Sequence, residues 1–414
     1  MNHLRLLLVI PLVLPIFLFS QETGCTDPNA LNYDPDALTN DGFCLYDTTF
    51  GYPRTFIRKI PYQLRECSGI IYYNGGIWTH NDSGGGAEIY KLDITTGEIL
   101  QTVHIANARN VDWEDIAQDS LFIYIGDFGN NNGTRNDLCV YQLPKSLIIP
   151  KRYSEVNATK ISFRYADQED FTSRPRNHNY DCEALLSNGD SLYLFTKNWQ
   201  DLNTRLYSLP AQPGDYLLIP QDTYRVNGLI TGADRDPETG VITLVGYQDF
   251  VSFVSLLFDY PERCFFSGNK RRIDLPDFVF VQTEGVASYS DGNVLISCEE
   301  SALPQGIFIL NVALWTDPPG QARMPNTGGS IVIVALQQAK PGRFVFNIEN
   351  LPEELMKIEI FDVDWNKLDN EDAGVFYDMR DSSLRLDMSG FPSGTYFLRL
   401  SSGEEQHVEK ITVE

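Results

Sequence analysis

Hydrophobic residues in this chain come in short runs, and the pattern is clearest between Asn110 and Asn132, NVDWEDIAQDSLFIYIGDFGNNN. A carboxylate, Glu114, precedes the apolar pair Ile116-Ala117. A polar turn follows at Gln118-Asp119-Ser120, then apolar residues 121–125, then a loop rich in Gly, Asn and Asp. Runs this short, bounded by turn residues, predict strands rather than helices. Versions of the unit recur through residues 55–316. They open at Glu66-Cys67-Ser68-Gly69-Ile70, Trp113-Glu114-Asp115-Ile116-Ala117, Asp181-Cys182-Glu183-Ala184-Leu185, Ile230-Thr231-Gly232-Ala233-Asp234 and Thr283-Glu284-Gly285-Val286-Ala287. Second strands are expected at 76–79, 121–125, 191–196, 242–247 and 294–298, each ending in a polar loop. Third strands are expected at 89–92, 138–143, 205–209, 255–258 and 306–311. Fourth strands are expected at 99–105, 160–164, 222–226 and 270–273.

Four strands per unit, in units 46 to 69 residues apart, predict a β-propeller at 51–316. The last unit lacks a fourth strand of its own. The run 55–60, ahead of the first unit, can supply it and close the ring, leaving no open edge. Closure favours a five-bladed propeller; six-bladed is the alternative if 144–180 hides another blade. Residues 317–329 (Asp317-Pro318-Pro319-Gly320 onward) read as a linker. Residues 330–414 read as a small Ig-like β-sandwich, with strands at 331–335, 343–348, 357–363, 384–388 and 395–400. The fold class is all-β.

Residues 1–20 carry Arg5 and an apolar run, 6–19, broken by Pro11 and Pro15. This reads as a signal peptide, too short and proline-broken to span a membrane. A lipoprotein acylated at Cys25 is the rival, although Glu22-Thr23-Gly24 matches such a site poorly. No later stretch is apolar and long enough to be transmembrane. Export opens the seven cysteines to oxidation. Cys25 and Cys44 flank a small motif at 21–50 and are expected to pair. Cys67, Cys139, Cys182, Cys264 and Cys298 are odd in number, so at least one thiol stays free; Cys67 and Cys182 read as buried packing residues. The length of 414 residues accommodates two or three units, and a net charge of −24 excludes a nucleic-acid polymer as partner. The same charge favours divalent cations. No P-loop, zinc-protease helix, serine nucleophile elbow or dinucleotide fingerprint is present.

In a propeller the first strand of each unit lines the axis, so Ser68, Glu114, Glu183, Thr231 and Glu284 are expected to converge at one mouth. Carboxylates brought close repel one another, and a hard cation relieves the cost; Ca²⁺ suits a ring of carboxylates and hydroxyls. The alternative is that the ring ties the blades together through backbone amides. Further candidates follow the second strands (His80, Asn81, Asp82, Asp127, Lys197, Trp199, Tyr247, Glu299) or flank the unit openings (Arg65, Arg109, Asp112, His178, Arg235). Each is also an ordinary turn residue, because Asn and Asp cap their own turns, and the two tryptophans, Trp113 and Trp199, also suit blade packing.

Three resemblances extend this reading. Residues 25–46, CTDPNALNYDPDALTNDGFCLY, carry Asp27, Asn29, Asn32, Asp34, Asp36, Asn40 and Asp41. They resemble short modules of secreted Bacteroidetes proteins that are similar to thrombospondin type 3 calcium repeats, which implies a calcium-type motif; a solvated acidic loop is the alternative. The end, SGFPSGTYFLRLSSGEEQHVEKITVE, resembles the type IX secretion C-terminal sorting domain at Leu386, Gly394, Tyr396, Leu398, Gly403, Lys410 and Val413. The usual Asn-Pro near its start is replaced around Gln338-Ala339. This resemblance implies the type IX secretion machinery as partner. The Ser/Glu/Glu/Thr/Glu ring, with Glu66-Cys67-Ser68 and Gly126-Asp127-Phe128-Gly129, resembles the central site of calcium-activated nucleotidases (apyrases). Its Glu-Gly-Val-Ala segment also resembles phytase-like and SdiA-regulated propellers. The expectation is a secreted or cell-surface propeller that binds an unknown extracellular ligand beside Ca²⁺. The alternative is a calcium-dependent phosphohydrolase acting at the same mouth.

Overall fold

The computed structural model describes residues 23–316 except 58, 302 and 303, together with 332–340, 343–349, 357–362, 367–368, 374–378, 383–402 and 405–413. The expected signal peptide and linker lie outside the described residues. The chain divides into two compact units, residues 1–324 and 325–414.

In the first unit five strands open five sheets: β1 (Cys67–Tyr73), β2 (Trp113–Gln118), β3 (Cys182–Asn188), β4 (Leu229–Arg235) and β5 (Thr283–Ser288). Each is followed outward by three antiparallel partners. The five inner strands neighbour one another in a closed cycle, β1 to β5 and back to β1. This is the arrangement of a β-propeller. Buried apolar side chains fill each seam between adjacent sheets. Trp78 meets Trp113 and Ile125 between the first and second, and Leu295 and Ile307 meet Ile70 and Ile77 between the fifth and first.

Ring closure comes from Arg54–Ile57, which pairs antiparallel with Gly306–Asn311 as the outer strand of the fifth sheet. The segment 144–180 makes no sheet of its own. Its Tyr153–Val156 runs parallel to the edge of the first sheet, and its Thr159–Tyr165 is the fourth strand of the second. Gly214–Leu218 and Thr49–Phe50 add similar parallel strands outside the second and fourth sheets, a feature the periodicity does not predict. Together these strands cover three of the five outer edges, which otherwise offer unpaired backbone groups.

Every inner strand is bulged near its start. Residues 68–69, 114–115, 183, 231 and 284–285 interrupt the register with the second strand. A bulge bends the strand and re-aims its side chains. Here it turns polar groups onto the neighbouring sheet. Ser68 Oγ donates to Glu114 O, Thr231 Oγ1 donates to Thr283 O at 2.6 Å, and Ser297 Oγ donates to Ser68 O at 2.8 Å. Asp115 completes the set. Fully buried, it accepts the N–H groups of Ile116 (2.8 Å), Leu185 (2.7 Å) and Ala233 (3.3 Å), which belong to three different sheets.

Cys25 and Cys44 form a disulfide. The loop they close lies against the fourth sheet, where Asn40 Nδ2 donates to Asn269 Oδ1 at 2.7 Å and Lys270 Nζ donates to Gly42 O at 2.9 Å. In the second unit, two four-stranded sheets share a core of Phe344, Ile360, Leu386, Leu398 and Ile411. The strands Lys367–Leu368, Gly374–Asp378 and Glu405–Val413 are additional to those the sequence pattern predicts. No helix among the described residues is long and apolar enough to cross a membrane.

Asp115→Ala leaves three buried N–H groups without an acceptor, at about 1–3 kcal/mol for each group so stranded. The expected outcome is a lowered denaturant midpoint for the first unit in equilibrium unfolding. Glu114→Gln, one residue away, should lower it far less.

Candidate functional site

The start of each inner strand and the end of each second strand lie on the same face of the ring, so residues from all five sheets reach one mouth. The bulges set which of them point there. Ser68 and Thr231 are held by the neighbouring backbone, as described above. Glu114, Glu183 and Glu284 are buried carboxylates at the equivalent positions.

These three have different surroundings. Glu183 is paired with Lys197 Nζ at 2.5 Å, and both side chains are buried. Lys197 also lies 5.0 Å from the ring centre of Trp199 and 5.2 Å from that of Tyr247. Burial alone would lower the pKa of Lys197, but Glu183 and the surrounding acids reverse this and hold it protonated. Glu284 has a long contact from Gln282 Nε2 at 3.5 Å. Glu114 gathers instead with Asp112 and Asp82, and one carboxylate oxygen from each lies within 4.8 Å of the others. Among the described residues this is the group of acids placed to share a metal ion. Gly129 makes it possible, because a β-carbon there would collide with Glu114 Oε1 and Asp112 Oδ2.

Other expected mouth residues have different roles. Asp127 is neutralised by Arg135 at 3.0 Å, and Arg135 also donates to Gly129 O, which locks the Gly/Asn loop. His80 is fully buried with its ring nearly perpendicular to that of Trp113, and burial lowers its pKa to about 4, so it packs as a neutral ring. His178 is a buried loop staple: Nδ1 accepts Tyr180 N–H at 3.1 Å, and Nε2 then donates to Asn131 O at 3.2 Å. Asn81 Nδ2 donates to Gln63 O. Arg65 pairs with its neighbour Glu66 at 3.4 Å on the exposed surface. Arg109 takes part through its backbone, whose carbonyl accepts Trp113 Nε1–H. Arg235 sits at the far end of β4, beside Tyr260 Oη at 3.2 Å, and so faces away from this mouth. Glu299 lies half-buried at the mouth.

Asp181 and Arg135 also belong to this site, though residue chemistry alone does not single them out. Asp181 accepts Asn130 N–H at 2.6 Å and Trp199 Nε1–H at 2.8 Å. A signal for Asp181 is present in the repeat: Asp181-Cys182-Glu183 matches Asp112-Trp113-Glu114.

In the N-terminal motif the polar side chains hold the loop itself. Asp27 accepts Asn29 N–H and Tyr46 Oη–H, Asn32 bridges Phe43 O and Leu45 N, and Asp34 and Asp41 cap the backbone N–H groups of Asp36 and Phe43. Among the described residues, Asp27, Asp34, Asp36 and Asp41 do not bring three carboxylates within 4.8 Å of one another.

Residues 340–414 match the secretion system C-terminal sorting domain. This domain marks the chain for export by type IX secretion, to the cell surface or beyond it. No curated protein matches the chain. Among solved structures, the PQQ-bound aldose sugar dehydrogenase of Streptomyces coelicolor is similar at 11% identity and a TM-score of 0.37, over 62% of this chain and 96% of that one. A glucose dehydrogenase is similar at 9% and 0.35, over 61% and 98%. The WD40 domain of Toxoplasma gondii coronin is similar at 10% and 0.32, over 63% and 78%. Similarity this low carries no argument about activity, and the propeller architecture rests on the strand topology itself.

Burial raises the carboxyl pKa of Asp112 to about 7, of Glu284 to about 8 and of Glu299 to about 7, with the charge of Asp82 adding to the shift at Asp112 and Glu299. The folded chain therefore keeps protons that the unfolded chain releases above about pH 4, and stability falls as pH rises toward 8. In chelator, the melting temperature is expected to drop between pH 5 and pH 8. Added Ca²⁺ should restore it, and more strongly at pH 8 than at pH 5. A flat pH profile in calorimetry would contradict this.

Proposed function

We propose that this protein is an exported propeller that recognises an extracellular ligand at the axial mouth, beside a Ca²⁺ ion held by Asp82, Asp112 and Glu114. The observation that carries this reading is the convergence of those three carboxylates. Such a set suits a hard cation with oxygen ligands, and the ion would offset the burial and the repulsion that together raise the pKa of Asp112 and Glu114. The cation set expected from the sequence is thereby narrowed. Glu183 has Lys197 as its counter-charge, and the Ser68 and Thr231 hydroxyls are engaged by backbone. We read the five sheets as five blades.

Recognition is favoured over phosphoester hydrolysis by charge. Asp82, Asp112, Glu114, Asp181 and Glu183 surround a mouth whose buried cation, Lys197, is already paired, while burial keeps protons on Glu284 and Glu299 up to about pH 8 and 7. A divalent ion leaves that field acidic, and an acidic field repels phosphate esters.

Calorimetric titration of the full-length protein with Ca²⁺ is expected to show one site. Asp112→Asn and Glu114→Gln should each weaken it by at least roughly tenfold, as expected when a charged ligand is lost. Gly129→Ala, which changes no charge, should do the same by driving the two carboxylates apart. Unchanged affinity in all three would remove the cation from the mouth, and Ca²⁺-dependent phosphate release from a nucleotide would replace recognition with hydrolysis. Separately, deleting residues 340–414 is expected to abolish appearance of the protein outside the native cell, measured by fractionation, without changing the melting of the first unit.

A further inference from the structure

Phe250 and Phe280 are 64% and 60% exposed, yet their ring centres lie 5.0 Å apart. Both stand on left-handed backbone, with φ of 69° and 58°. Phe250 follows Asp249, φ 48°, and the two close the hairpin between Ile242–Gln248 and Val251–Phe258, where Gln248 pairs with Val251. A two-residue hairpin turn with both φ values positive favours Asn-Gly, and a phenylalanine in its second position is strained. Phe280 N donates to Phe250 O at 2.7 Å, which fixes the two residues together. Rings so exposed contribute little to a core, so folding alone gives no reason for aromatic residues here. Strain kept at an exposed position points to use.

The pair stands on the rim of the mouth. Tyr247, three residues before Phe250, faces Lys197, and Glu284 follows four residues after Phe280. Ser252 Oγ donates to Val281 O at 2.9 Å, tying the hairpin to the segment that enters β5. The surface around the rings is acidic, with exposed Asp249 beside Phe250, exposed Asp277 three residues before Phe280 and a chain charge of −24. An anionic partner is repelled there, and a neutral sugar would leave the field unused. A cation gains from both the field and the ring faces.

We propose that Phe250 and Phe280 form an aromatic platform on the rim of the acidic mouth that receives the basic side chains of a peptide partner. An arginine guanidinium lies flat on the exposed ring faces, with the mouth carboxylates on its far side. This rests on reading the mouth as a recognition site and adds the chemical class of what is recognised.

The test uses the full-length protein and a fluorescein-labelled octa-arginine peptide, with octa-glutamate and dextran as comparison probes, followed by anisotropy at physiological salt. The arginine peptide alone is expected to bind. Phe250→Ala with Phe280→Ala, which leaves every charge in place, should weaken it by roughly tenfold, the scale of a cation–π contact. Phe250→Gly should raise the melting temperature by relieving the turn while also weakening the peptide, an outcome that misfolding cannot imitate. Wild-type affinity in the double alanine variant would overturn the platform, as would dextran binding without peptide binding. Ca²⁺ titration of the same samples is expected to be unaffected by the phenylalanine changes. Peptide binding without Ca²⁺ binding would sink the cation reading and leave the platform standing.

Discussion

The Asp115 carboxylate at the centre of the ring is the interaction on which the propeller depends. Five inner strands meet around an axis too narrow for five side chains. The residues directly after Ser68, Glu114, Glu183, Thr231 and Glu284 are Gly69, Asp115, Ala184, Gly232 and Gly285, four small residues and one acid. A β-carbon on Gly69 would lie 2.6 Å from Asp115 Oδ1, so this glycine makes room for the acid, while β-carbons on Gly232 and Gly285 would crowd the backbone oxygens of Glu284 and Ser68. Two oxygens with four lone-pair sites can take three N–H donors at once, which few other side chains can do. With Ser68, Thr231 and Ser297 sealing the remaining seams, every sheet is bonded at the axis to a neighbour by a side chain as well as by apolar packing.

That seal explains the mouth above it. The bulges that bring Ser68 and Thr231 against neighbouring backbone also turn Glu114, Glu183 and Glu284 into a confined space. Buried like charges are costly unless each finds a counter-charge or a proton. Lys197 serves Glu183 and Arg135 serves Asp127. Backbone and indole donors serve Asp181. What remains unbalanced is the group of Asp82, Asp112 and Glu114 on one side and the pair Glu284 and Glu299 on the other. The first is compact enough for a cation.

The repeat was legible because short apolar runs and polar turns mark strands locally. The fourth strands of the first sheet at Ile99–Ile105 and the second sheet at Thr159–Tyr165 lie at or within one residue of the periodic expectation. The closing strand at Arg54–Ile57 follows from the need to remove an edge. Equivalence of Ser68, Glu114, Glu183, Thr231 and Glu284 was legible for the same reason. Their division of roles was not, since Thr231 finds its acceptor at Thr283 and Asp115 its donor at Ala233, 118 residues away. Histidines misled in a consistent way. His80 and His178 lie in polar stretches that look like a mouth, but ring packing on Trp113 and a carbonyl at Asn131 bury them.

Stability and the proposed recognition occupy different layers of this fold. The seam cores and the Asp115 hub are built by apolar burial and hydrogen bonding. The mouth breaks several local preferences: acids crowd together, and Phe250 occupies a turn suited to glycine. A site that departs from local rules in a scaffold that otherwise keeps them is where function is expected to lie. Location then enters through linkage. A cation that binds only the folded chain stabilises it in proportion to the logarithm of its concentration over Kd. On the proposed cation reading, the acidic mouth destabilises the first unit where Ca²⁺ is scarce and ceases to do so where it is abundant. The sorting domain sends the chain toward the outside of the cell, where extracellular calcium modules operate at about 10⁻⁴–10⁻³ M. The crowding that looks like a defect of the fold is then a means of making the mouth complete only after export.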